Sequence, residues 1–520
     1  MANVLSKIKD YEKLKNYIAL AFVTAMVGVF PVFLTNKYFN GRHDKLNFFF
    51  VASGILVALM LVAYIFMNKS TPKDRILSCK KGVKNLSVPD LAILCFLFSA
   101  TISTILSDNA LSSFTGDTPR NNGLLLILTY VVVYFVISRT FAFSRIVTTM
   151  MCITSGFASV LAIMQQFYWS PFDLFAGLTM EQCNNFISTI GNRNLFTAYL
   201  CISLPVCFMM FVYGKKIHGM VVSAVAVMLN FAGMICGNSD NGLLGVAGLL
   251  ILGFILFLRD AKKLSRYFFL VALMLVSCKL VRLFSYFMDD YYMSFSSVQK
   301  SLVYDNTYVI IGFALVLSVG LFILSKREFT VPKMVQRVAV ILLLVGIVGV
   351  VFLIIYFSAI DKETELNGFM GYFRFDDSWG THRGFMWIRA VYIFMDLPFI
   401  QKIFGTGPDT FRMIMDATGY NGELFAYKNE ITDCAHNVYL NYLVTIGITG
   451  AVSYIVMVVS SIVRGIKQGV KNKNVMIFLS AVLCYGLQSI VNIDQPITTP
   501  LFILMIAILE AENRKALCLD

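Results

Sequence analysis

The chain has 520 residues, of which 58% are hydrophobic and 14% charged, and its mean hydropathy is +0.74. A soluble globule of this length needs more polar surface, so the composition excludes a soluble protein and predicts one that spans a membrane. The formal net charge of +13 follows the bias of membrane proteins towards basic cytoplasmic loops and does not indicate a nucleic-acid partner.

Long apolar segments recur along the whole chain and predict membrane-spanning helices. A hydrocarbon core of roughly 30 Å takes about 20 residues at a helical rise of ~1.5 Å, and these segments lack the alternation of a barrel strand. About fourteen spans are predicted, at 17–35, 47–67, 88–106, 122–138, 145–167, 195–213, 218–235, 241–258, 267–283, 306–324, 337–358, 437–462, 475–490 and 497–511. The predicted fold class is therefore all-α, a polytopic bundle of transmembrane helices.

Lysine and arginine concentrate in alternate loops, as they do in the cytoplasmic loops of membrane proteins. The pattern predicts that both termini are cytoplasmic. We divide the chain into N-terminal transmembrane helices (1–186), a central part that includes the loop 359–435 (187–460), and C-terminal transmembrane helices with a cytoplasmic tail (461–520).

The loop 359–435 is the one sizeable segment predicted outside the membrane, on the extracytoplasmic side. It carries more acidic than basic residues in a strongly positive protein, and it is rich in aromatic and aliphatic residues. Exposed loops of this length are functional or disordered, and the apolar content disfavours disorder. Apolar residues at helical spacing predict a helix over 384–396, which ends at Asp396-Leu397-Pro398.

Unusual polar residues gather on the predicted outer side. Arg193 precedes the sixth span, Arg383 and Arg389 lie in the loop, and His436 precedes the twelfth span. Guanidinium groups present paired donors that suit the oxygens of a diphosphate, and an imidazole could accept a proton or position a hydroxyl group. The alternatives are structural: the arginines could pair with loop carboxylates or lipid headgroups, and the histidine could simply begin a helix.

Several function classes lack their motifs. The sequence has no HxxxH or HExxH pattern and no P-loop, so it predicts neither a metal nor a cofactor. Most predicted spans contain no acidic residue, which counts against an ion-coupled transporter.

Four features occur in order on the outer side: "GNRNLFTAYL" before a span, a serine-led turn two spans later, "HRGFMWIRAVYIFMDLPFIQKIFGTGPDTF" in the large loop, and "AHNVYLNYLVTIGITGAVSYI" after it. This order resembles the O-antigen ligase and O-antigen polymerase family of bacterial membrane glycosyltransferases. The resemblance covers about 187–460.

The resemblance implies a glycosyltransferase of the bacterial inner membrane that needs no metal or cofactor. It would take glycan from an undecaprenyl-diphosphate donor and pass it to a hydroxyl of a glycan, lipid or protein acceptor. By position, His436 matches the family's histidine after the loop, as a general base or acceptor positioner, and Arg383 matches the arginine of an Arg-xxx-Trp pattern; these are the predicted catalytic residues. Arg193 and Asn437 match family positions predicted to bind the donor diphosphate, and Arg389 joins them by its charge.

One position departs from the family pattern, because Asp240 stands where the family commonly has an arginine. Either Arg193, Lys279, Arg282 or Arg389 supplies the missing charge, or the donor is held differently.

The sequence leaves the acceptor open, so polymerase, ligase and protein-glycosylating activities are all compatible with it. A flippase or transporter for lipid-linked oligosaccharide is the alternative function, and a receptor or scaffold is a third. A transporter predicts polar residues along a path through the bilayer and related halves, whereas the polar residues here crowd one face.

Overall fold

The structure is a computed structural model that describes residues 2–67, 85–117, 120–288, 293–327, 331–366, 368–469 and 471–517. The described chain is a bundle of α-helices with a single antiparallel pair of two-residue strands, β1 (Phe186–Ile187) and β2 (Gly191–Asn192). The predicted all-α class and polytopic bundle are confirmed.

The helices up to the start of the large loop are mostly long. They are α1 (Ala2–Gly28), α2 (Gly41–Met67), α3 (Val88–Leu106), α4 (Ala110–Thr115), α5 (Leu124–Thr140), α6 (Arg145–Gln166), α7 (Met180–Cys183), α8 (Arg193–Val212), α9 (Ile217–Cys236), α10 (Asp240–Phe257), α11 (Ala261–Phe287), α12 (Ser297–Tyr304), α13 (Tyr308–Ser325) and α14 (Lys333–Ile355).

The large loop carries short helices, as predicted, and four further helices follow it. They are α15 (Trp379–Asp396), α16 (Phe399–Phe404), α17 (Phe411–Ala417), α18 (Tyr420–Lys428), α19 (Val438–Thr445), α20 (Gly447–Gly469), α21 (Lys473–Gln488) and α22 (Thr499–Leu517). The helix predicted over 384–396 is the main part of α15, and it ends where the Asp-Leu-Pro sequence predicted.

Eleven helices of the described chain are long and apolar enough to cross a membrane. They coincide with eleven of the predicted spans. Of the other three, 122–138 and 475–490 are the shorter apolar helices α5 and α21, and 497–511 lies in α22, whose last turns carry charged residues. The total of about fourteen crossings therefore stays a prediction.

The predicted span 437–462 is divided in the structure, because α19 ends at Thr445 and α20 starts at Gly447. Two carbonyl groups at the end of α19 bond to the loop instead of to the following helical turn. The N–H of Thr406 donates to Val444 O at 3.3 Å and that of Gly407 to Thr445 O at 2.9 Å. The break therefore results from the loop packing against the bundle.

The core lies around α8, which is buried along nearly its whole length and is packed by α9, α21, α6 and α10. At the periphery, α14 buries none of its length against the protein, as expected of a helix surrounded by lipid.

The end of the bundle away from the large loop is fastened by ion pairs. Buried Asp90 accepts hydrogen bonds from Tyr134 at 2.7 Å and from Arg139 at 2.9 Å, and it also pairs with Arg514. Arg514 reaches Glu510 at 3.0 Å as well. These contacts tie α22 to α3 and α5.

The junction between α19 and α20 gives a stability prediction. Gly447 has φ +73°, and an added Cβ would lie 2.3 Å from Ile403 O and 2.5 Å from Phe404 N. Neither backbone atom can move freely, so Gly447→Ala is expected to lower the free energy of unfolding by about 1–3 kcal/mol. Thermal unfolding in detergent measures this as a lower Tm.

Gly346→Ala is the matched control, because no heavy atom lies within 4 Å of an added Cβ at that position of α14. Its Tm is expected to stay at the wild-type value or rise slightly. Equal melting temperatures for the two variants would contradict the account of the helix break.

Candidate functional site

A polar cavity opens where the large loop packs on the end of the bundle. Its polar lining comes from three separate stretches of the chain: the α4–α5 loop, the large loop with the start of α19, and the α21–α22 loop. The charged and amide residues in it include Arg120, Asn122, Asp409, Asp433, His436 and Asp494.

His436 stands immediately before α19 and is held by its neighbours in the chain. The side chain of Asn437 caps the helix, accepting from the N–H groups of Tyr439 at 3.0 Å and Leu440 at 3.1 Å. The histidine has φ +48°, an uncommon conformation for a non-glycine residue, and its own N–H donates to Cys434 Sγ at 3.3 Å. The backbone therefore fixes where the imidazole leaves the chain.

The charges around His436 favour its neutral form. Burial, with the positive charges of Arg383 and Arg120, lowers the pKa of His436 to about 3, and Asp433 opposes this shift. An imidazole with so low a pKa is unprotonated near neutral pH, so one ring nitrogen is available to accept a proton.

Arg383 is positioned by a left-handed turn in the loop. Gly380, Thr381 and His382 all have positive φ, and the Nη1 of Arg383 donates to Gly380 O at 2.8 Å. Its Nε is buried without a hydrogen-bond partner, and no carboxylate of the described residues lies within ion-pair distance of this guanidinium. A partly buried cation in this state is suited to an anion from outside the protein.

The environment of Arg383 includes the position that departs from the family pattern. The hydroxyl of Tyr372 donates to the Asp240 carboxylate, and burial lowers the pKa of Arg383 while Asp240, Cys434 and Tyr372 oppose the change. Asp240 therefore lies near the predicted catalytic arginine and acts on it electrostatically. The acid at position 240 therefore favours the charged form of Arg383.

A second cationic residue, which the sequence analysis missed, is Arg120. It is 6% exposed, lines the cavity, and forms an ion pair with Asp433. Burial raises the pKa of Asp433, but the charge and hydrogen bond of Arg120 lower it by more, so the pKa lies below its usual range. The pair joins the loop before α5 to the loop before His436.

Asp409 organises the Arg120 loop from the other side. Its carboxylate accepts from the N–H groups of Asp117 at 2.8 Å and Asn122 at 2.9 Å. Burial raises the pKa of Asp409 to about 7, although these N–H groups and the charge of Arg120 lower it.

Arg42, at the start of α2, lies within electrostatic range of Arg120, Asp433 and Asp409. Both missed arginines were visible in the sequence as cations in predicted outer loops, where such residues are depleted. They went unnoticed because the first five spans carry no motif of the resemblance.

Two of the cations considered as substitutes at position 240 are engaged by backbone carbonyls of residues 302–305. Lys279 donates to the carbonyls of Leu302 at 3.1 Å, Val303 at 2.9 Å and Asp305 at 2.6 Å. Arg282 donates to Tyr304 O at 3.1 Å. Arg120 lines the cavity, and Arg42 lies within electrostatic range of Arg120, Asp433 and Asp409.

Arg193 is engaged by the protein itself. Its Nε donates to Asn184 O at 2.5 Å and its Nη1 to Cys236 O at 2.7 Å, and its Nη2 contacts the sulfur of Met293. The structure does not bring it into the cavity with His436. The side-chain oxygen of its neighbour Asn194 accepts a hydrogen bond from the hydroxyl of Ser239, the residue before Asp240, at 2.7 Å.

Arg389 is neutralised inside the large loop. It donates to both carboxylate oxygens of Asp377, at 3.0 and 3.1 Å, and pairs with Glu423 at 3.4 Å. Its guanidinium also lies 4.1 Å from the centre of the Phe385 ring. These contacts make Arg389 a brace between α15 and α18.

Among the residues that the structure describes, no group of three or more His, Cys, Asp or Glu side chains is arranged to hold a metal ion. The polar groups at the cavity can neutralise an anion, accept a proton and hydrogen-bond to hydroxyl groups.

Residues 302–455 match the family model described as O-Antigen ligase. No individual curated protein matches the chain significantly. The matched residues include Arg383, Arg389, His436 and Asn437, whereas Arg193 and Arg120 lie before them. The resemblance in the sequence is confirmed over this segment, since residues 302–455 are similar to the O-antigen ligase family. This similarity supports a membrane protein that ligates or polymerises glycans.

Proposed function

We propose that the protein is a glycosyltransferase of the bacterial inner membrane that moves glycan from an undecaprenyl-diphosphate donor to an acceptor hydroxyl, with the large loop and the cavity on the extracytoplasmic side. The observation that carries the proposal is the combination of two unusual groups within electrostatic range of each other. Among the described residues Arg383, a partly buried cation, has no carboxylate partner, and His436, which lines the cavity, is an imidazole kept neutral by burial and by the charges of Arg383 and Arg120.

The reaction asks for few groups. The acceptor oxygen bonds to the anomeric carbon as the bond from that carbon to the diphosphate oxygen breaks, and the electron pair leaves with the diphosphate. His436 takes the proton of the acceptor hydroxyl, and Arg383 stabilises the charge that grows on the leaving diphosphate. The protein needs no nucleotide sugar, because the glycan is already activated as a lipid-linked diphosphate. The released polyprenyl diphosphate stays in the membrane.

The low pKa of His436 has a role in this scheme. In the empty site, burial and the two arginines make the imidazole a weak base. A bound diphosphate brings negative charge next to Arg383 and Arg120, which offsets their effect and raises the basicity of the histidine. Donor binding then prepares the proton acceptor before the acceptor hydroxyl arrives.

Of the other residues predicted to bind the donor, Asn437 lines the cavity, whereas Arg193 and Arg389 do not. Asn437 lines the cavity and fixes the start of α19, so it positions His436. For Arg193 and Arg389, donor binding stays a prediction, and their bonds within the protein favour roles in shaping the loops. Arg120, through its ion pair with Asp433, is a stronger candidate for the second cation near the diphosphate.

Replacing His436 by Ala is expected to reduce glycan transfer by about 10²–10⁴, because a positioned base is lost. The measurement is transfer in detergent or nanodiscs with an undecaprenyl-diphosphate glycan, with Tm as the folding check. His218→Ala, an exposed histidine at the start of α9, is the control. Transfer at the wild-type rate in a folded His436→Ala enzyme would remove the histidine from the mechanism.

Replacing Arg383 by Lys keeps the charge but loses the paired donors. A loss on the order of 10- to 100-fold in kcat/KM is expected, the value of one charge-assisted hydrogen bond. Arg412→Lys in α17 is the matched control, because the side chain of Arg412 is exposed. Among the described residues its one ion-pair partner is Asp416 of the same helix, at 3.8 Å. If the two variants behave alike, Arg383 does not contact the donor.

The pH profile tests the state of His436. With a pKa of about 3, the free enzyme keeps this base unprotonated, so kcat/KM is not expected to fall as the pH drops from 8 to 5. A histidine of ordinary pKa, about 6.5, would lose activity across that range. The profile is measured in Asp409→Asn, since the carboxyl of Asp409 has a pKa of about 7 and titrates in the same window. A fall centred near pH 6.5 in that variant would contradict the neutral-imidazole mechanism.

A further inference from the structure

A groove runs between α1 and α2 on the membrane-facing surface. Its walls are almost wholly apolar, and Phe22, Phe48, Ile55 and Leu59 are among the lining residues. On α2 the lining extends from Asp44 to Leu59, roughly 22 Å at the rise of an α-helix. This is most of the ~30 Å depth of a hydrocarbon core.

The groove has polar groups at one end only. Thr35 and Asp44 lie there, and the carboxylate of Asp44 accepts from the N–H of Thr35 at 2.7 Å and from its hydroxyl at 2.6 Å. The buried ammonium of the next residue, Lys45, donates to the carbonyls of Phe30 at 2.6 Å and Pro31 at 2.8 Å. The polar groups of Thr35, Asp44 and Lys45 are therefore satisfied within the protein, Asn47 at the same end is exposed, and the apolar trough below them is open.

The polar end adjoins the candidate active site. Arg42 precedes Asp44 by two residues on α2, so the two side chains point away from each other. Asp44 faces the groove, whereas Arg42 lies within electrostatic range of Arg120, Asp433 and Asp409 at the polar cavity. The first turn of α2 thus stands between the cavity and the groove.

We infer that the groove between α1 and α2 binds the polyprenyl chain of the donor. The inference rests on the proposed function, because it takes a lipid diphosphate to be the substrate. In such a molecule the chain begins at the diphosphate, so a chain whose diphosphate lies among these arginines must enter the membrane beside them. The groove begins at that point and descends along the bilayer depth.

The expected gain in affinity is modest. Lipid tails are as apolar as the groove walls, so the chain is held by packing and not by removal from water. Filling the trough at Ala52, about 12 Å beyond Asp44 at the rise of an α-helix, should therefore raise the KM for a long-chain donor by on the order of three- to tenfold. A donor whose chain is too short to reach Ala52 should keep its KM.

The test compares two donors with the same glycan diphosphate, one carrying an undecaprenyl chain and one a geranyl chain, in the full-length enzyme. Ala52 lines the groove, so Ala52→Trp is expected to raise KM only for the undecaprenyl donor, with Ala52→Phe as the milder variant. Ala58, exposed on α2 outside the lining, gives the control Ala58→Trp. A folded Ala52→Trp enzyme with wild-type KM for the undecaprenyl donor would overturn the inference.

Photo-crosslinking separates failure of the groove from failure of the proposed function. A diazirine-bearing undecaprenyl phosphate should label peptides of α1 and α2 in the wild type, lose that label in Ala52→Trp and keep it in Ala58→Trp, whether or not the enzyme transfers glycan. Labelling by a diazirine phosphatidylglycerol that undecaprenyl phosphate does not compete away would identify a general lipid surface and overturn the inference. Absence of transfer from both donors in the wild type, with labelling intact, would reject the glycosyltransferase proposal alone.

Discussion

The buried ion pair between Arg120 and Asp433 is the interaction on which the rest of the site depends. It spans the α4–α5 loop and the turn before His436, two stretches far apart in sequence, and so fixes the large loop against the first half of the bundle. A buried pair of this kind adds little net stability, but loss of one partner leaves an uncompensated charge. The pairing also engages the carboxylate of Asp433, which opposes the lowering of the pKa of His436. Arg383 is then left without an acidic partner, and the imidazole stays under the influence of two positive charges.

The sequence predicted well what depends on local composition. Apolar length located the helices, and apolar periodicity with Pro398 located α15 and its end. The motifs put His436 and Arg383 in one predicted site, and the structure has His436 in the cavity lining with Arg383 in electrostatic range of it. The sequence showed Arg120 and Arg42 only as cations in predicted outer loops, since their relevance to the site arises from a tertiary packing that brings the starts of α2 and α5 towards the large loop. Nor could it predict that Arg389 pairs with Asp377 and Glu423, because only the fold decides which carboxylates reach a given guanidinium.

The break between α19 and α20 was likewise not predictable from the sequence. Apolar residues run through it, and its cause is the pair of hydrogen bonds that the loop donates to the end of α19.

The departure at Asp240 takes on a physical meaning in this arrangement. An acid in place of a cation should weaken the hold on a diphosphate, yet Asp240 is also bonded by the Tyr372 hydroxyl and lies near Arg383. It thereby stabilises the charged form of a guanidinium that burial disfavours. Arg120 lines the cavity, and Arg42 lies within electrostatic range of its residues. The positive charge around the site thus comes from parts of the chain other than position 240.

The two ends of the bundle use the same residue types to opposite effect. At the end away from the loop, Asp90 and Glu510 are each met by arginines, and the result is a rigid fastening of α22. At the loop end, the balance among the described residues is incomplete: Arg383 lacks a carboxylate, and one oxygen of Asp494 is buried without a partner. Unmatched polar groups are costly, so a fold retains them where a ligand supplies the missing partner. Buried polar atoms without a hydrogen-bond partner also occur at the other end, among them Glu510 Oε2 and Arg464 Nε. What distinguishes the loop end among the described residues is a partly buried guanidinium, that of Arg383, with no carboxylate in ion-pair distance, and the proposed chemistry rests on it.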